Sequence, residues 1–381
     1  MKRMAVIIVG GGVMGWSIAY NLARLGTKDV TVVEKSFVNY GSSTRSASRF
    51  RVHFWTKENV RYAAESRKIF LRLAGATKWN PIIDIGGYLW LLPNEDHVGA
   101  FEKANQMWTE LGVGGFFLSP EEIQEKYPYL STDGFVRAFF GPQDGSLHHD
   151  YVTYGYYMAS KSMGVRCLEY AEAKKVAINN GIVAGVETDQ GCIKGEKVVL
   201  AAGAWTAQVA RTAGVELPIE PVKKEMLITE PLRFFMKPFI VDNRTSVYFG
   251  QTLRGEILGG IDVPVENGLR PLNTSILCAK EWAKAVTRVV PALKYARVFR
   301  GWSGYFDPTS DGSHIVGSDP DWPRGLYVAA GFGGHGFLMA PLTGVVMAKY
   351  IAFEDVPAEM EPFLPTRFKE GKLVKETLVV G

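Results

Sequence analysis

The sequence predicts an α/β protein in two parts: a discontinuous, Rossmann-like domain around a parallel sheet, and an α+β domain with a mixed, mostly antiparallel sheet. Three observations carry that prediction. A β-branched apolar run, "MAVIIVG" (4–10), leads directly into a glycine-rich turn and a helical pattern. The same strand–glycine–helix signature returns in "EKVVLAAGAWTAQVA" (196–210) and "RGLYVAAGFGGHGFLMAPLTGVVMAKYIA" (324–352). Long excursions rich in aromatics and alternating patterns separate the three.

The first unit is the most explicit. A strand buried on both faces explains the unbroken apolar run. Gly10 makes the tight turn, Gly12 lets a pyrophosphate approach the backbone, and Gly15 lets helix pack on strand. The following helix places Met14, Ile18, Leu22 and Leu25 on one face and stops at Gly26. Its N-terminus, at Val13 and Met14, offers free N–H groups and a positive dipole end to phosphate. A second strand, "DVTVVEK", ends at Glu34, placed to take ribose hydroxyls, with Lys35 beside it. Strand, glycines, helix, strand and acid in that order make a dinucleotide site. A turn serving packing alone leaves the acid unexplained.

Composition sets the outer bounds. At 381 residues the chain fits two domains, and 47% hydrophobic with 22% charged residues excludes a disordered chain. A net charge of +4, without long charged runs, gives no reason to expect nucleic acid or an anionic membrane as partner. Cys167, Cys192 and Cys278 are far apart and match no metal-ligand spacing, so neither a metal nor a structural disulfide is expected. "MKRMAVIIVGGG" starts like a secretory leader, but its apolar run is short and ends in glycines. No stretch reads as long and apolar enough to span a bilayer. The expectation is a cytoplasmic enzyme, peripheral at a membrane only through an electron acceptor.

A nicotinamide enzyme completes its sheet with regular βαβ units. This chain returns to the nucleotide fold only after long excursions, which suits an extended FAD across a discontinuous domain. The expected FAD domain takes 1–77, 150–214 and 302–381, and the substrate domain 78–149 and 215–301. Gly10–Gly15 with Glu34, the Ser-Thr-Arg loop at 42–45, "VVLAAGAW" (198–205), "DGSHIVG" (311–317) and "GFGGHGFLMAPLTG" (331–344) together resemble one family. It is the FAD-dependent amine and amino-acid oxidoreductases of the D-amino-acid-oxidase superfamily, and the likeness covers nearly the whole chain. "GHGF", the R-x-x-F at Arg51–Phe54 and the length are most similar to sarcosine oxidases and the β subunits of dye-linked L-proline dehydrogenases.

The resemblance implies further cofactor contacts at Ser42, Ser43, Thr44, Arg45, Val176, Ala202, Gly203 and Trp205. It also implies contacts at Gly331, Gly333, Gly334, His335, Gly336, Phe337 and Leu338. Reduced flavin carries negative charge near N1 and the C2 carbonyl. N–H groups from Gly333 to Phe337, and a helix whose first turn holds Pro341, are suited to stabilise it. His335 stands out as a large polar residue in an apolar turn, a candidate for catalysis or for backbone hydrogen bonding.

An amino-acid substrate needs a fixed cation for its carboxylate, and Arg provides a planar fork. "SSTRSASRFRVHF" (42–54) supplies three arginines. Arg51 matches a carboxylate- or flavin-proximal arginine of sarcosine oxidase-like enzymes; Arg45 and Arg49 stand nearer the phosphate or solvent. Which of Arg49 and Arg51 points inward stays open. Tyr248 and Tyr305 are candidate pocket hydroxyls, Tyr248 the candidate for catalysis, and Trp302 a candidate neighbour of the ring. "VYFGQTLRGEILGGIDVP" (247–264) reads as strands, and 273–293 as a helix capped by Asn273 or Thr274 with Pro291 near its end.

Departures from the resembled pattern matter too. Leu338 stands where monomeric sarcosine oxidases carry a carboxylate-binding lysine, and Ile257 aligns with their lysine above the flavin. "FDPTSDG" lacks their flavin-linking cysteine, and Arg45 replaces the linking histidine of dimethylglycine dehydrogenase-like enzymes, so FAD is expected to be non-covalent. "LHHD" (147–150) resembles the His-Asp neighbourhood that tethers an additional FMN in heterotetrameric sarcosine oxidases. His149 thus marks a candidate FMN at a subunit interface, or Asp150 simply caps a helix from Tyr151.

The expected activity is oxidation of a secondary or N-methylated amino acid to an imine by hydride transfer to flavin N5. L-proline is the first choice, then sarcosine or dimethylglycine, with electrons passed to a carrier or second subunit rather than mainly to oxygen. Three alternatives remain: a 2-hydroxy-acid or glycerol-phosphate dehydrogenase using His53 or His335 as base, a D-amino-acid or glycine oxidase, and a flavin-carrying subunit whose partner performs the chemistry.

Overall fold

The computed structural model describes residues 4–377; Met1, Lys2 and Arg3 of the leader-like start and residues 378–381 lie outside that range. Six strands form one sheet, in the order Ile315–Gly317, Leu326–Ala330, Lys197–Leu200, Ala5–Val9, Asp29–Val33 and Arg166–Leu168. Neighbours run parallel except the first pair. Ala5–Val9 lies between its two partners, with Ile7 opposite Val198 on one side and Thr31 on the other. Val6, Ile7 and Ile8 are all buried, which is why the run shows no alternation.

Helices cover this sheet. Val13–Arg24 packs against Gly336–Phe353, where a Cβ on Gly344 would fall 2.1 Å from Ser17 Oγ. Glycine therefore allows the two backbones to touch. Gly336–Phe353 is long and apolar enough to cross a membrane by length and composition, which corrects the expectation that no stretch is. It is apolar all round because 67% of it is buried, flanked by the helices Val13–Arg24 and Lys57–Phe70. Its start also differs from expectation: Pro341 lies inside the helix, not in its first turn. Pro341 has no N–H for the Phe337 carbonyl. Ser66 Oγ supports the disturbed turn, donating to Leu338 O at 2.6 Å and accepting from the Leu342 N–H at 3.3 Å.

A second, eight-stranded sheet roofs the first domain. Its order is Val298–Phe306, Val222–Pro231, Glu256–Gly260, Val247–Gln251, Phe239–Asp242, Tyr88–Leu92, Arg137–Gly141 and Phe116–Leu118. Only Phe239–Asp242 with Tyr88–Leu92 is parallel. Strand alternation separates two faces. Tyr88, Met226, Tyr248 and Leu258 face the nucleotide domain, while Leu89, Leu227, Phe249 and Ile257 join Trp282 and Val286 on the far face. Those last two belong to the helix Ile276–Val289, whose cap is Ser275, accepting the Cys278 N–H at 3.1 Å, and not Asn273 or Thr274. Glu225 draws the cap one step onward by accepting the Ser275 N–H at 2.6 Å. Trp282 is 2% exposed, and its truncation to Ala would cost about 3–5 kcal/mol. The helix expected from Tyr151 runs His149–Ser162, with His148 at the cap and Asp150 in the first turn, beside the positive dipole end.

Candidate active site

Between the two sheets runs a cavity of about 370 Å³. Its nucleotide end is built mainly from backbone. Gly10 has φ +116°, and a Cβ there would lie 2.3 Å from Ala201 O; one on Gly15 would lie 2.0 Å from Gly10 O. A Cβ on Gly12 would meet Ser43 Oγ at 2.9 Å. Ser43 Oγ accepts the Val13 N–H at 3.0 Å, so the helix start and the serine loop form one lip. Glu34, buried, accepts N–H groups of Gly11 at 2.8 Å and Ser36 at 2.9 Å. Lys35 lies 3.3 Å from the centre of the Trp205 ring. Burial lowers its ammonium pKa, opposed by Glu34 and Glu172. Glycine cradle, helix start on the cavity wall and buried acid fit the pyrophosphate and ribose of a dinucleotide.

The middle of the cavity is walled by the turn from Phe332 to Leu338. Gly331 and Gly333 hold φ of +73° and +55°, and the Gly331 N–H donates to Asp307 Oδ2 at 2.9 Å. Asp307 is buried on the wall, and that burial pushes its carboxyl up to about 7, against backbone hydrogen bonds that favour the charge.

The arginine segment lies opposite. Arg49–Phe50 pairs with Gly145–Ser146, and Phe50 enters the core, so Arg49 and Arg51 emerge on the cavity side. Arg51 donates to the His53 carbonyl and, at 2.9 Å, to His335 Nε2. A guanidinium can only donate, so Nε2 is the acceptor and the ring proton of His335 sits on Nδ1. Arg49 makes one long bond, to Gln251 O at 3.3 Å, and lies 4.7 Å from the Phe239 ring. Its buried Nε has no partner among the described residues. Burial lowers both guanidinium pKa values; Tyr88 and Asp84 oppose this at Arg49, and Glu376, Tyr88 and Asp144 at Arg51. His53 lies outside the wall, with Nδ1 2.8 Å from Asp144 Oδ2 and Nε2 2.8 Å from Val113 O.

Over the arginines hang Tyr88, Phe239, Tyr248, Met226 and Lys224. The Tyr248 hydroxyl donates to Met226 Sδ at 3.1 Å, and burial pushes its phenol above the ordinary range. Lys224 pairs with Asp262 and lies 5.5 Å from the Phe306 ring.

The family model for FAD dependent oxidoreductases matches residues 5–350. The chain belongs to that family. Within it, this oxidoreductase is 27% identical over 385 residues to the β subunit of sarcosine oxidase from Rhodobacter capsulatus, covering 100% of this chain and 92% of that protein. It is 28% identical to glycine oxidase from Geobacillus kaustophilus, with 96% and 97% covered. Among solved structures, L-proline dehydrogenase from P. horikoshii matches with a TM-score of 0.91 at 31% identity, over 97% of this chain and 99% of that one. The protein is therefore an FAD-dependent oxidoreductase from a family that acts on amino acids and amines.

Most of the residues expected at the cofactor line the cavity, from Gly10 through Ser42, Arg45 and Trp205 to Leu338. Four do not. Gly15 serves helix packing, and the Thr44 hydroxyl turns to Asn39 O at 2.9 Å. Val176 is a core residue whose N–H donates to Thr212 Oγ1, and Thr212 takes the wall position. Gly331 stands one residue behind the wall. Ile257 is not above the cavity: it points to the far face of the roof. Trp302 is off the wall, donating to Arg45 O at 3.0 Å, while Tyr305 is on it. His148, His149 and Asp150 bring ligand-type atoms within 4.8 Å of one another, away from this cavity. Sequence reasoning missed Tyr88, Phe239, Met226, Lys224 and Asp307. Only Asp307 left a trace, as the first of two acids in "FDPTSDG".

Proposed function

We propose that this oxidoreductase dehydrogenates a secondary or N-methylated α-amino acid, L-proline first, to its imine and hands the electrons to a carrier. The carrying observation is Arg49: a half-buried arginine at the cavity wall, under Phe239, whose buried Nε has no partner among the described residues. Such a donor points to an anion supplied by the ligand. The proposal thus moves the carboxylate contact from Arg51, whose guanidinium holds His335, to Arg49. Tyr88, Phe239 and Tyr248 make an apolar lid suited to a small ring. Bound FAD, held without a covalent link, supplies the hydride acceptor for the carbon attached to nitrogen. An apolar site lowers the amine pKa by desolvation, so no strong base is required.

A hydroxy-acid or glycerol-phosphate reading needs such a base. His335 gives its Nε2 lone pair to Arg51, and both nitrogens of His53 face acceptors. Lys224, the lysine on the roof of the cavity, is paired with Asp262, which supports a carrier over oxygen. A partner subunit with a second flavin near His149 is favoured by the exposed apolar stripe Tyr151, Tyr154 and Met158 on the same helix.

The deciding experiment is anaerobic bleaching of the flavin by a substrate panel. L-proline should bleach it fastest, N-methylated amino acids next, and lactate or glycerol phosphate not at all. Bleaching by the alcohols without any by amines would overturn the proposal. Flavin that stays with the precipitate after acid treatment would overturn non-covalent binding.

A further inference from the structure

The roof strand Val247–Gln251 carries a glycine at 250, and nothing in its backbone asks for one. The strand is buried throughout, and Gly250 lies outside the left-handed region. Glycine inside a strand weakens it and marks a place where another group approaches closely. Strand alternation puts Gly250 on the face of Tyr248, toward the nucleotide domain. The pairing of Ile240 with Phe249 and of Val241 with Tyr248 carries Phe239 to the place opposite Gly250.

The space above Gly250 is filled by side chains. A Cβ there would lie 2.5 Å from Phe239 Cδ2, 3.3 Å from Phe239 Cε2 and 3.1 Å from Arg49 Nη2. Gly260, opposite Tyr248 on the neighbouring strand, is different. A Cβ on Gly260 would also meet backbone, Glu225 O at 2.7 Å, so that glycine serves strand packing. At Gly250 the Phe239 ring folds across the bare backbone, as aromatic side chains do to shield a strand glycine. Tyr88 and Tyr248 flank the ring, with centroids 4.9 Å and 6.1 Å away, and Arg49 Cζ lies 4.7 Å from its centre. A methyl group at 250 would push the ring off the roof. The open side left to it is the cavity, which Phe239 and Arg49 both line.

We propose that Gly250 is a specificity-determining residue: its missing side chain lets Phe239 lie flat against the roof, and so sets how large a substrate fits beside the carboxylate held by Arg49. The inference rests on the reading of Arg49 given above.

The test titrates the FAD-loaded full chain with acetate and with cyclopentanecarboxylate, followed by the flavin spectrum. In Gly250→Ala the ring acid should bind about tenfold more weakly, while acetate changes by about twofold at most. Phe239→Leu gives a shorter side chain that can turn away from the new methyl group. Adding it should bring the ring acid back to within about threefold of the parent, because the two residues act as a pair. An equal loss for both acids, or no loss for either, overturns the proposal, as does a ring-acid loss that Phe239→Leu leaves untouched. Where Gly250→Ala alone folds poorly, the double variant should recover melting temperature and FAD content; no recovery overturns it too. Arg49→Met that still binds acetate like the parent refutes the Arg49 reading by itself, and the ratio of the two acids in the Gly250 variants still reports separately.

Discussion

The two ends of the cavity are made of different material. At the nucleotide end the wall is mainly backbone: glycines at 10 and 12 and a helix start, held close by Gly15 behind them, with one acid side chain at 34. At the substrate end they come from side chains on strands far apart in sequence, Tyr88, Met226, Phe239 and Tyr248, facing Arg49. A backbone site fails when a side chain intrudes; a side-chain site fails when charge or shape changes. The first tolerates little variation, whereas the second can be retuned one residue at a time.

Gly15→Val presses hardest on that contrast, since even a Cβ would lie 2.0 Å from Gly10 O. The overlap should cost about 100-fold or more in FAD affinity, read as the ratio of flavin to protein absorbance. Arg49→Met should do the opposite, keeping flavin content while kcat/KM for an amino acid falls on the order of 100-fold. If Arg49→Met loses FAD instead, the division between the two ends is wrong.

Asp307 sits at the join and adds a pH term. Burial raises its folded pKa to about 7, above its unfolded value. Its contribution to stability is therefore complete below about pH 4 and lost as pH rises through about 7, on the order of 4 kcal/mol at most. With rising pH, the stability of Asp307→Asn should decline less steeply than that of the parent between about pH 4 and 7; parallel curves would remove Asp307 from the account. The smallest effect belongs to Ser66→Ala, at a residue off the cavity wall that supports the Leu338–Leu342 turn from behind. It should lower stability by about 1–2 kcal/mol with FAD content and KM unchanged.

The contrast also explains what the sequence could reveal. Gly10–Gly15 fall within one turn and Glu34 follows at the end of the next strand, a local order dictated by a geometry that few residues satisfy. The roof has no such local signature. Tyr88 and Phe239 meet only because two distant strands pair in parallel, Phe239 opposite Tyr88. Ile257 was misplaced because an alignment gives a position, while the pleat decides the face. Pro341 was misread because proline at a first helical turn is common, and here Ser66, from another helix, lets the helix begin five residues earlier.

The six-stranded sheet has a consequence for biosynthesis. Its strands are drawn from Ala5–Val9 at one end of the chain and Leu326–Ala330 near the other. At ordinary translation speeds the ribosome needs tens of seconds to deliver the last of them. Until then the nascent glycine cradle lacks its far wall, so cofactor capture waits for the turn from Phe332 to Leu338, and a chain ended before it should emerge colourless.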